Sequence, residues 1–425
     1  MPLIVRAPMR ISFGGGGTDL EAYYSQYGGF VVSATINKYF YTVLSAECQS
    51  SLQLISADYA LFHRSPAIQS HKPEAEGKGQ AGTTGRTSLL QVSKSRLTGG
   101  RAATSRGGEP MDDLIWSADP SLRSEEALAL PRAMAHHFAL PAGLKVFMAS
   151  EVPPGTGLGS SSAVAVCLAA AFSTFRGERL SRRQLAELAA FIEIEKLGMP
   201  IGKQDQYASA FGGLNAITFA TTGVTIEPLN LTPEVIARLE QRIMLFFTAT
   251  SRNSSLILQE QRRSSARGRK PVIESLHAIK ARAQQMRTAL RAGDVDRLGE
   301  LLDESWQHKK RLASKISNPF IDECYQMARK AGALGGKIAG AGGGGFLLLY
   351  CPPDRQPMVR SALETKGLRQ MDFRFDFQGV QVLLNTLTLD RKAGNSPRCP
   401  PFKGTFFEPD PSDAPFLPGT GRVGT

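Results

Sequence analysis

A chain of 425 residues has length for two domains and a sizeable core, and 42% hydrophobic with 21% charged residues describes a globular protein. The net charge of +12 invites a nucleic-acid reading, yet the excess is confined. Residues 64–110 carry eight Lys/Arg against three Glu, 252–270 carry six against one, and 391–425 carry five against three acidic residues, which accounts for all of it. Solvated loops and tails are therefore expected there, with no nucleic-acid partner.

Five cysteines (Cys48, Cys167, Cys324, Cys351, Cys399) form no CxxC pair. That suits a reducing cytoplasm and argues against a disulfide framework or a zinc site. The opening MPLIVRAPMR lacks the apolar region and cleavage site of a secretory signal. The longest apolar run, 163–175, falls short of the ~20 residues that span a bilayer, so no membrane association is expected.

In chain order, LIVRAPMRISF (3–13) reads as an apolar strand that exits through GGGGTD (14–19). Residues 31–46 and 51–58, rich in β-branched and aromatic side chains, read as further strands. Residues 64–110 hold few large apolar side chains and show no period, so a largely disordered insertion is expected. A helix is expected over 124–140 despite Pro131, and a strand over 143–152. EVPPGTGLGSSSAV (151–164) follows, opening an apolar helix over 161–175. The segment 181–198 reads as one helix, with Ser181 and Gln184 as a capping box and Gly198 and Pro200 as its stop. A β pair (212–219, 225–231), a strand (239–250) and helices over 272–292, 296–315 and 319–332 come next. GGKIAGAGGGGFLLLYCP (335–352) reads as a glycine-rich turn entering a buried strand, and the Pro- and Gly-dense 391–425 as an unstructured tail.

Strand, glycine-rich loop and helix is the geometry in which backbone N–H groups at a helix start face an anion. Gly155, Gly157 and Gly159 permit close approach and positive φ, while Ser160, Ser161 and Ser162 can cap the helix, touch phosphate or ligate Mg²⁺. The loop lacks the lysine of a Walker A motif and the spacing of a dinucleotide fingerprint. The plain alternative is a Gly/Ser connection with an ordinary serine cap. Phosphoryl transfer also needs carboxylates. Glu193 lies four residues after Ala189, at the edge of an apolar stripe, and either points inward or sits on a solvated face; Glu195 projects elsewhere. Asp205, in GKQDQYASAFGG, is either an N-cap or a buried functional group. The run Gly342–Gly345 lets backbone pass close to something bulky, or forms a tight turn. His136, His137 and His308 show no ligand spacing.

These motifs, in this order, resemble the GHMP kinase superfamily: RAPMRISFGGGGTDL the first motif, EVPPGTGLGSSSAV the second, GGKIAGAGGGGF the third. The likeness covers about residues 1–60 and 125–385. Within the superfamily the chain is most similar to bacterial D-glycero-D-manno-heptose 7-phosphate kinases, through RISFGGGGTD, INKYFY, GKQDQYASAFGG, FFTATSR, ESWQHKKRLASKISNP and GAGGGGF. The resemblance implies an α+β fold of two domains. An N-terminal ATP-binding domain (1–225) would be like domain 2 of ribosomal protein S5, and a C-terminal domain (238–388) would be ferredoxin-like. It implies a cytoplasmic, monomeric or homodimeric enzyme taking ATP, Mg²⁺ and a sugar phosphate. Another sugar, fucose- or galactose-like, and a catalytically impaired nucleotide- or sugar-binding homologue are the alternatives.

By position, the resemblance implies that Pro154, Gly155, Thr156, Gly157, Leu158, Gly159 and Ser160–Ser162 wrap the ATP phosphates. Ser161 and Glu193 would hold Mg²⁺. Asp205 would orient or deprotonate the sugar hydroxyl, Arg10, also counted as catalytic, would meet the sugar together with Asp19, and Gly17, Thr18, Gly342 and Gly343 would contact the substrate. Lys203, Arg252, Lys309 and Lys310 are candidates for the distal phosphate, because an unpaired dianion binds poorly in a cleft. Residues 64–110 and the tail after about 390 have no counterpart in the family.

Overall fold

The long second strand organises the first sheet. Strand β1 (Pro2–Gly14) leads through helix α1 (Glu21–Tyr27) to β2 (Gly29–Ala46), and the two strands pair antiparallel along their length. In β1, burial alternates only as far as Ala7; from there to Gly14 every residue is buried, so the strand is covered on both faces. The far edge of β2 is shared. Its first half pairs β6 (Leu214–Ala220) and its second half pairs β5 (Leu144–Ser150). Strands β3 (Ser51–Ser56) and β4 (Leu61–Pro66) extend the sheet beyond β5, and β7 (Gly223–Pro228) extends it beyond β6. Helices α2 (Ala129–His137), α3 (Ser160–Arg176), α4 (Arg182–Ala190) and α5 (Gln204–Phe211) complete this half, with α3 and α5 packed on β1 and β2.

The second half runs α6 (Pro233–Arg242), β8 (Ile243–Phe247), α7 (Ser254–Ala266), α8 (Lys270–Arg291), α9 (Asp296–Lys309) and α10 (Pro319–Lys330). It continues through β9 (Gly335–Ile338), β10 (Phe346–Tyr350), α11 (Gln356–Glu364), β11 (Arg369–Met371) and β12 (Gln381–Asn385). Its sheet is antiparallel in the order β11-β8-β10-β9. Trp306, Tyr325, Phe246 and Leu347 fill the core beneath it, and Tyr23 of α1 joins that cluster. Helix α8 lies on β1 and β2, covering the face opposite α3. The last strand, β12, returns to the first sheet and pairs β1 from Leu3↔Asn385 to Arg6↔Gln381. The segment expected as a separate C-terminal domain thus contributes a strand to the N-terminal sheet.

The computed structural model describes residues 2–46, 51–57, 61–66, 128–248 and 254–386. Strand β4 carries order to Pro66, into the start of the expected insertion; residues 67–110 and the tail from 391 lie outside the described residues. Other departures have local causes. The strand expected from 239 begins at Ile243, because the Thr232 side chain accepts from Val235 N and Pro233 opens α6, which winds on with Leu239 buried. Pro131 falls in the first turn of α2, where no intrahelical N–H is lost. The capping box of Ser181 and Gln184 forms as expected, but α4 widens after Ala190 into a π-helical turn, Phe191–Lys196.

The two glycine-rich segments meet backbone to backbone. Gly157 has φ +87°, and a Cβ there would lie 2.4 Å from Ala339 O. Gly345 has φ +86°, and its Cβ would lie 2.2 Å from Thr156 O, which accepts from Phe346 N at 3.1 Å. Gly345→Ala therefore combines left-handed strain with a clash against backbone that has no room to move. We expect it to lower unfolding stability by about 2–4 kcal/mol in urea titration. Gly367→Ala, at φ +79° with nothing within 4 Å, should cost about 1 kcal/mol. Equal losses at the two positions would show that the loop contact is slack.

Candidate active site

Helix α3 begins without a side-chain cap. Its N-cap is Gly159 at φ +76°, and Gly155 and Gly157 are also left-handed, at φ +75° and +87°. The first-turn N–H groups of Ser160–Ser162 have no intrahelical partner by helix geometry, so they stand open to an anion. The loop alternates. Gly155, Gly157, Gly159 and the three serines line a cavity, whereas Thr156 and Leu158 turn into the protein. Thr156 donates its hydroxyl to Pro153 O, and Leu158 O accepts from Arg10 N at 2.9 Å.

Arg10, on β1, crosses this cavity. Its Nε and Nη2 bond the two oxygens of Asp205, each at 2.7 Å, and Nη1 donates to Gly157 O at 2.6 Å. Arg10 is buried and Asp205 partly open, so the pair is a planar fork at the cavity wall. Asp205 is the second residue of α5, two positions after the N-cap Lys203, and its carboxylate is taken up by Arg10 instead of capping the helix. Behind it, Asp19 accepts from Gly17 N at 2.9 Å and from the Gln204 backbone and side chain at 3.3 and 3.1 Å. Burial pushes the Asp19 carboxyl above its usual range, and the nearby Asp205 charge adds to the rise.

Glu193 sits in the π-helical turn and points inward, fully buried, while Glu195 is exposed. Ser161 Oγ donates to Glu193 Oε1 and Gln206 Nε2 to Oε2, both at 2.6 Å. Burial pushes its carboxyl up to about 7, although the Ser161, Gln206 and Ser162 hydrogen bonds oppose the rise. Those partners are all neutral. A buried carboxylate beside a hydroxyl, with no basic group among these partners, is a donor set that fits a hard divalent ion such as Mg²⁺. Among the described residues, no group of three or more His, Cys, Asp or Glu converges on one point.

Two lysines line the same cavity. Lys309 Nζ donates to the carbonyls of Ile338 (3.3 Å) and Gly340, and Lys337 Nζ donates to Phe13 O at 3.1 Å. Burial, helped by the Arg10 charge, lowers Lys337 to about 7. Of the other cations considered for a distal phosphate, Lys310 bonds Asp322, Lys203 lies 5.7 Å over the Tyr24 ring, and Arg252 lies outside the described residues.

The cavity thus collects Arg10, Gly17, Asp19, Gly155, Gly157, Gly159, Ser160–Ser162 and Asp205 from the expected set, with Glu193 bonded to Ser161 behind it. Three expected substrate contacts are placed elsewhere. Thr18 is buried and uses its hydroxyl on Gly15 O, Phe30 O and Phe30 N to lock the first glycine turn. Gly342 packs on Ile316, and Gly343 N bonds Ile316 O. Pro154 does not border the cavity. Sequence reasoning passed over Lys337, Ser12, Gln204, Gln206 and Gln261. Lys337 stood inside the third motif, next to the glycines that drew attention, and Gln204 and Gln206 flank Asp205. Gln261 carries no local signal, because only the tertiary fold brings α7 to β1.

Residues 126–213 match the model of the GHMP kinases N terminal domain, and residues 286–368 that of the GHMP kinases C terminal domain. A D-glycero-alpha-D-manno-heptose 7-phosphate kinase of Campylobacter jejuni is 29% identical over 377 residues, 88% of this chain and 97% of its own length. A crystal structure described as "a D-glycero-D-manno-heptose 1-phosphate kinase from Bacteriodes thetaiotaomicron" is 25% identical with a TM-score of 0.63, covering 89% of this chain and 98% of that one. Lactococcus lactis galactokinase complexed with galactose shares the fold at 18% identity, with a TM-score of 0.62 over 90% of this chain and 95% of that one. No helix among the described residues is long and apolar enough to cross a membrane.

The buried lysine gives a pH signature. Its folded value, about 7, lies below its ordinary 10.5, so the unfolded chain takes up a proton that the fold releases. Stability should rise by about 2–3 kcal/mol between pH 7 and 9 in the ligand-free protein. Lys337→Met should flatten that rise and be more stable than the parent at pH 7. Urea unfolding across this range checks it, and an unchanged slope in the variant would show that Lys337 stays charged.

Proposed function

We propose that this chain, which belongs to the GHMP kinases, transfers the terminal phosphoryl group of ATP to the anomeric hydroxyl of D-glycero-D-manno-heptose 7-phosphate, yielding the 1,7-bisphosphate. The observation that carries the reading is the Arg10–Asp205 fork, with both bonds at 2.7 Å, set against the uncapped start of α3. A phosphate-binding helix end and a hydroxyl-activating carboxylate thereby share one cavity. The similarity to the heptose-phosphate kinases supports the sugar assignment. We place the ATP-binding domain at 1–225 and the ferredoxin-like domain at 238–388, in a cytoplasmic monomer or homodimer.

In this reading the N–H groups of Ser160–Ser162 and the glycines before them hold the ATP phosphates. Ser161 and Glu193 would hold Mg²⁺, which supplies positive charge against the phosphate oxygens. Asp205 orients the acceptor hydroxyl and takes its proton as the new phosphate ester forms and the bond to the leaving ADP oxygen breaks. Arg10 fixes the plane of that carboxylate and presents its charge where negative charge passes to the transferred group. Asp19, held by Gly17 and Gln204, backs the acceptor end of the cavity.

The test is an ATP-consumption screen over heptose 7-phosphate, free heptose, fucose, galactose and mevalonate. Heptose 7-phosphate should lead by at least ~100-fold in kcat/KM, an expectation built on several lost polar contacts. Turnover of only fucose or galactose would keep the kinase and overturn the sugar; turnover of none would leave a binding protein. Asp205→Asn should lower kcat about 10²–10⁴-fold while thermal unfolding shows it folded. If the folded variant keeps most of its rate, Asp205 is not the base.

A further inference from the structure

At the Asp19 end of the cavity, three side chains present polar atoms that have no hydrogen-bond partner among the described residues: Ser12 Oγ, Gln204 Oε1 and Gln261 Nε2. All three residues border the cavity that contains Asp205. Ser12 and Gln261 are each only 4% exposed, so bulk solvent does not take the place of a partner. Buried polar groups are normally satisfied, and leaving one unpaired costs stability. Three beside one catalytic cavity therefore call for a ligand.

Their placement defines what that ligand offers. They come from three separate elements: β1, the start of α5, and α7 in the other half of the chain. A Cβ built on Gly16 would lie 3.8 Å from both Ser12 Oγ and Gln204 Nε2, and one on Gly17 would lie 2.2 Å from Gln261 Nε2. The three side chains thus all approach the Gly16–Gly17 turn. Gln204 Nε2 is committed to Asp19, which leaves its Oε1 as an acceptor. Gln261 Nε2 offers a donor, and the Ser12 hydroxyl either role. A donor, an acceptor and a hydroxyl gathered at one end of a cavity complement sugar hydroxyls, each of which gives and accepts a hydrogen bond.

We propose that Ser12, Gln204 and Gln261 read neighbouring hydroxyls of the polyol substrate and set its specificity, which rests on the sugar-kinase reading above. Gln261 makes this a joint site, because α7 of the second half borders the same cavity as β1 and α5.

Ser12→Ala and Gln261→Leu test it. Each removes an unpartnered polar atom, so neither should lower the melting temperature of the ligand-free protein. Each should raise KM for the sugar phosphate about tenfold and leave KM for ATP unchanged, because one substrate hydroxyl loses its partner. A deoxy substrate lacking the matching hydroxyl should be insensitive to the substitution. Sugar KM values unchanged in both folded variants would overturn the proposal, as would a fall in melting temperature accompanied by equal rises in both KM values. Calorimetric titration of the same sugars into wild type and variants runs alongside and needs no turnover. If wild type binds a sugar tenfold more tightly than the variants yet transfers nothing, the kinase reading falls and this one stands. If wild type binds none, this one falls.

Discussion

The guanidinium of Arg10 is the constraint on which the site depends. With three of its nitrogens it ties the carbonyl of Gly157, in the glycine loop, to both oxygens of Asp205, at the start of another helix. Its backbone N–H holds Leu158 of the same loop. One residue of β1 therefore sets the distance between the place where phosphate would bind and the carboxylate that would receive a proton. A fork of this kind loses both its bonds if either partner turns, which makes it a stiff ruler. The rigidity behind it comes from β1 itself, buried on both faces from Ala7 onward.

Around that fork the protein tolerates groups that a stable core would avoid. Glu193 is buried with neutral partners, Lys337 is buried against a carbonyl, and several amide and hydroxyl atoms lack partners among the described residues. Each raises the free energy of the empty protein. Together they surround a space bounded by helix N–H groups, and in the proposed reaction each would be relieved by what binds there: an anion, a cation and a polyol. Local strain and desolvation at a site are maintained by packing elsewhere, here by the Trp306–Tyr325 core and by the double cover of β1.

Much of this was legible in the sequence where chemistry is local. The glycines of the second motif implied left-handed backbone, and Gly155, Gly157 and Gly159 adopt it. Ser181 and Gln184 announced a capping box that forms. For Glu193 the stripe left an inward and a solvated position open, and the π-helical turn holds it inward. The strand expected from 239 failed because the apolar run MLFF drew the boundary forward, while Thr232 and Pro233, the helix-start signal, lay upstream of the window. The glycine run implies close approach or a tight turn, and only the family resemblance made Gly342 and Gly343 substrate contacts. What approaches them is the protein's own backbone at Ile316, and beside them the phosphate loop at Thr156. Close approach was legible; the identity of the approaching group was not, since that depends on tertiary contacts with Ile316 in the same half of the chain and with Thr156 in the other.

The same distinction applies to the groups that line the cavity. In the proposed reaction the phosphate-binding groups lie in one short motif, because backbone N–H groups and a helix start must be contiguous to work, whereas Arg10, Glu193 and Asp205 are brought together by the fold. Groups on the rest of the cavity wall need no contiguity either. Gln261 reaches the cavity from α7, Lys309 from the end of α9 and Lys337 from β9. Each arrives there only because α8 lies across β1 and β2 and β12 pairs back onto β1, so that the second half cannot drift from the first. A kinase built this way can keep its motifs and change its substrate by altering scattered positions, with the closing strand preserving the geometry between them.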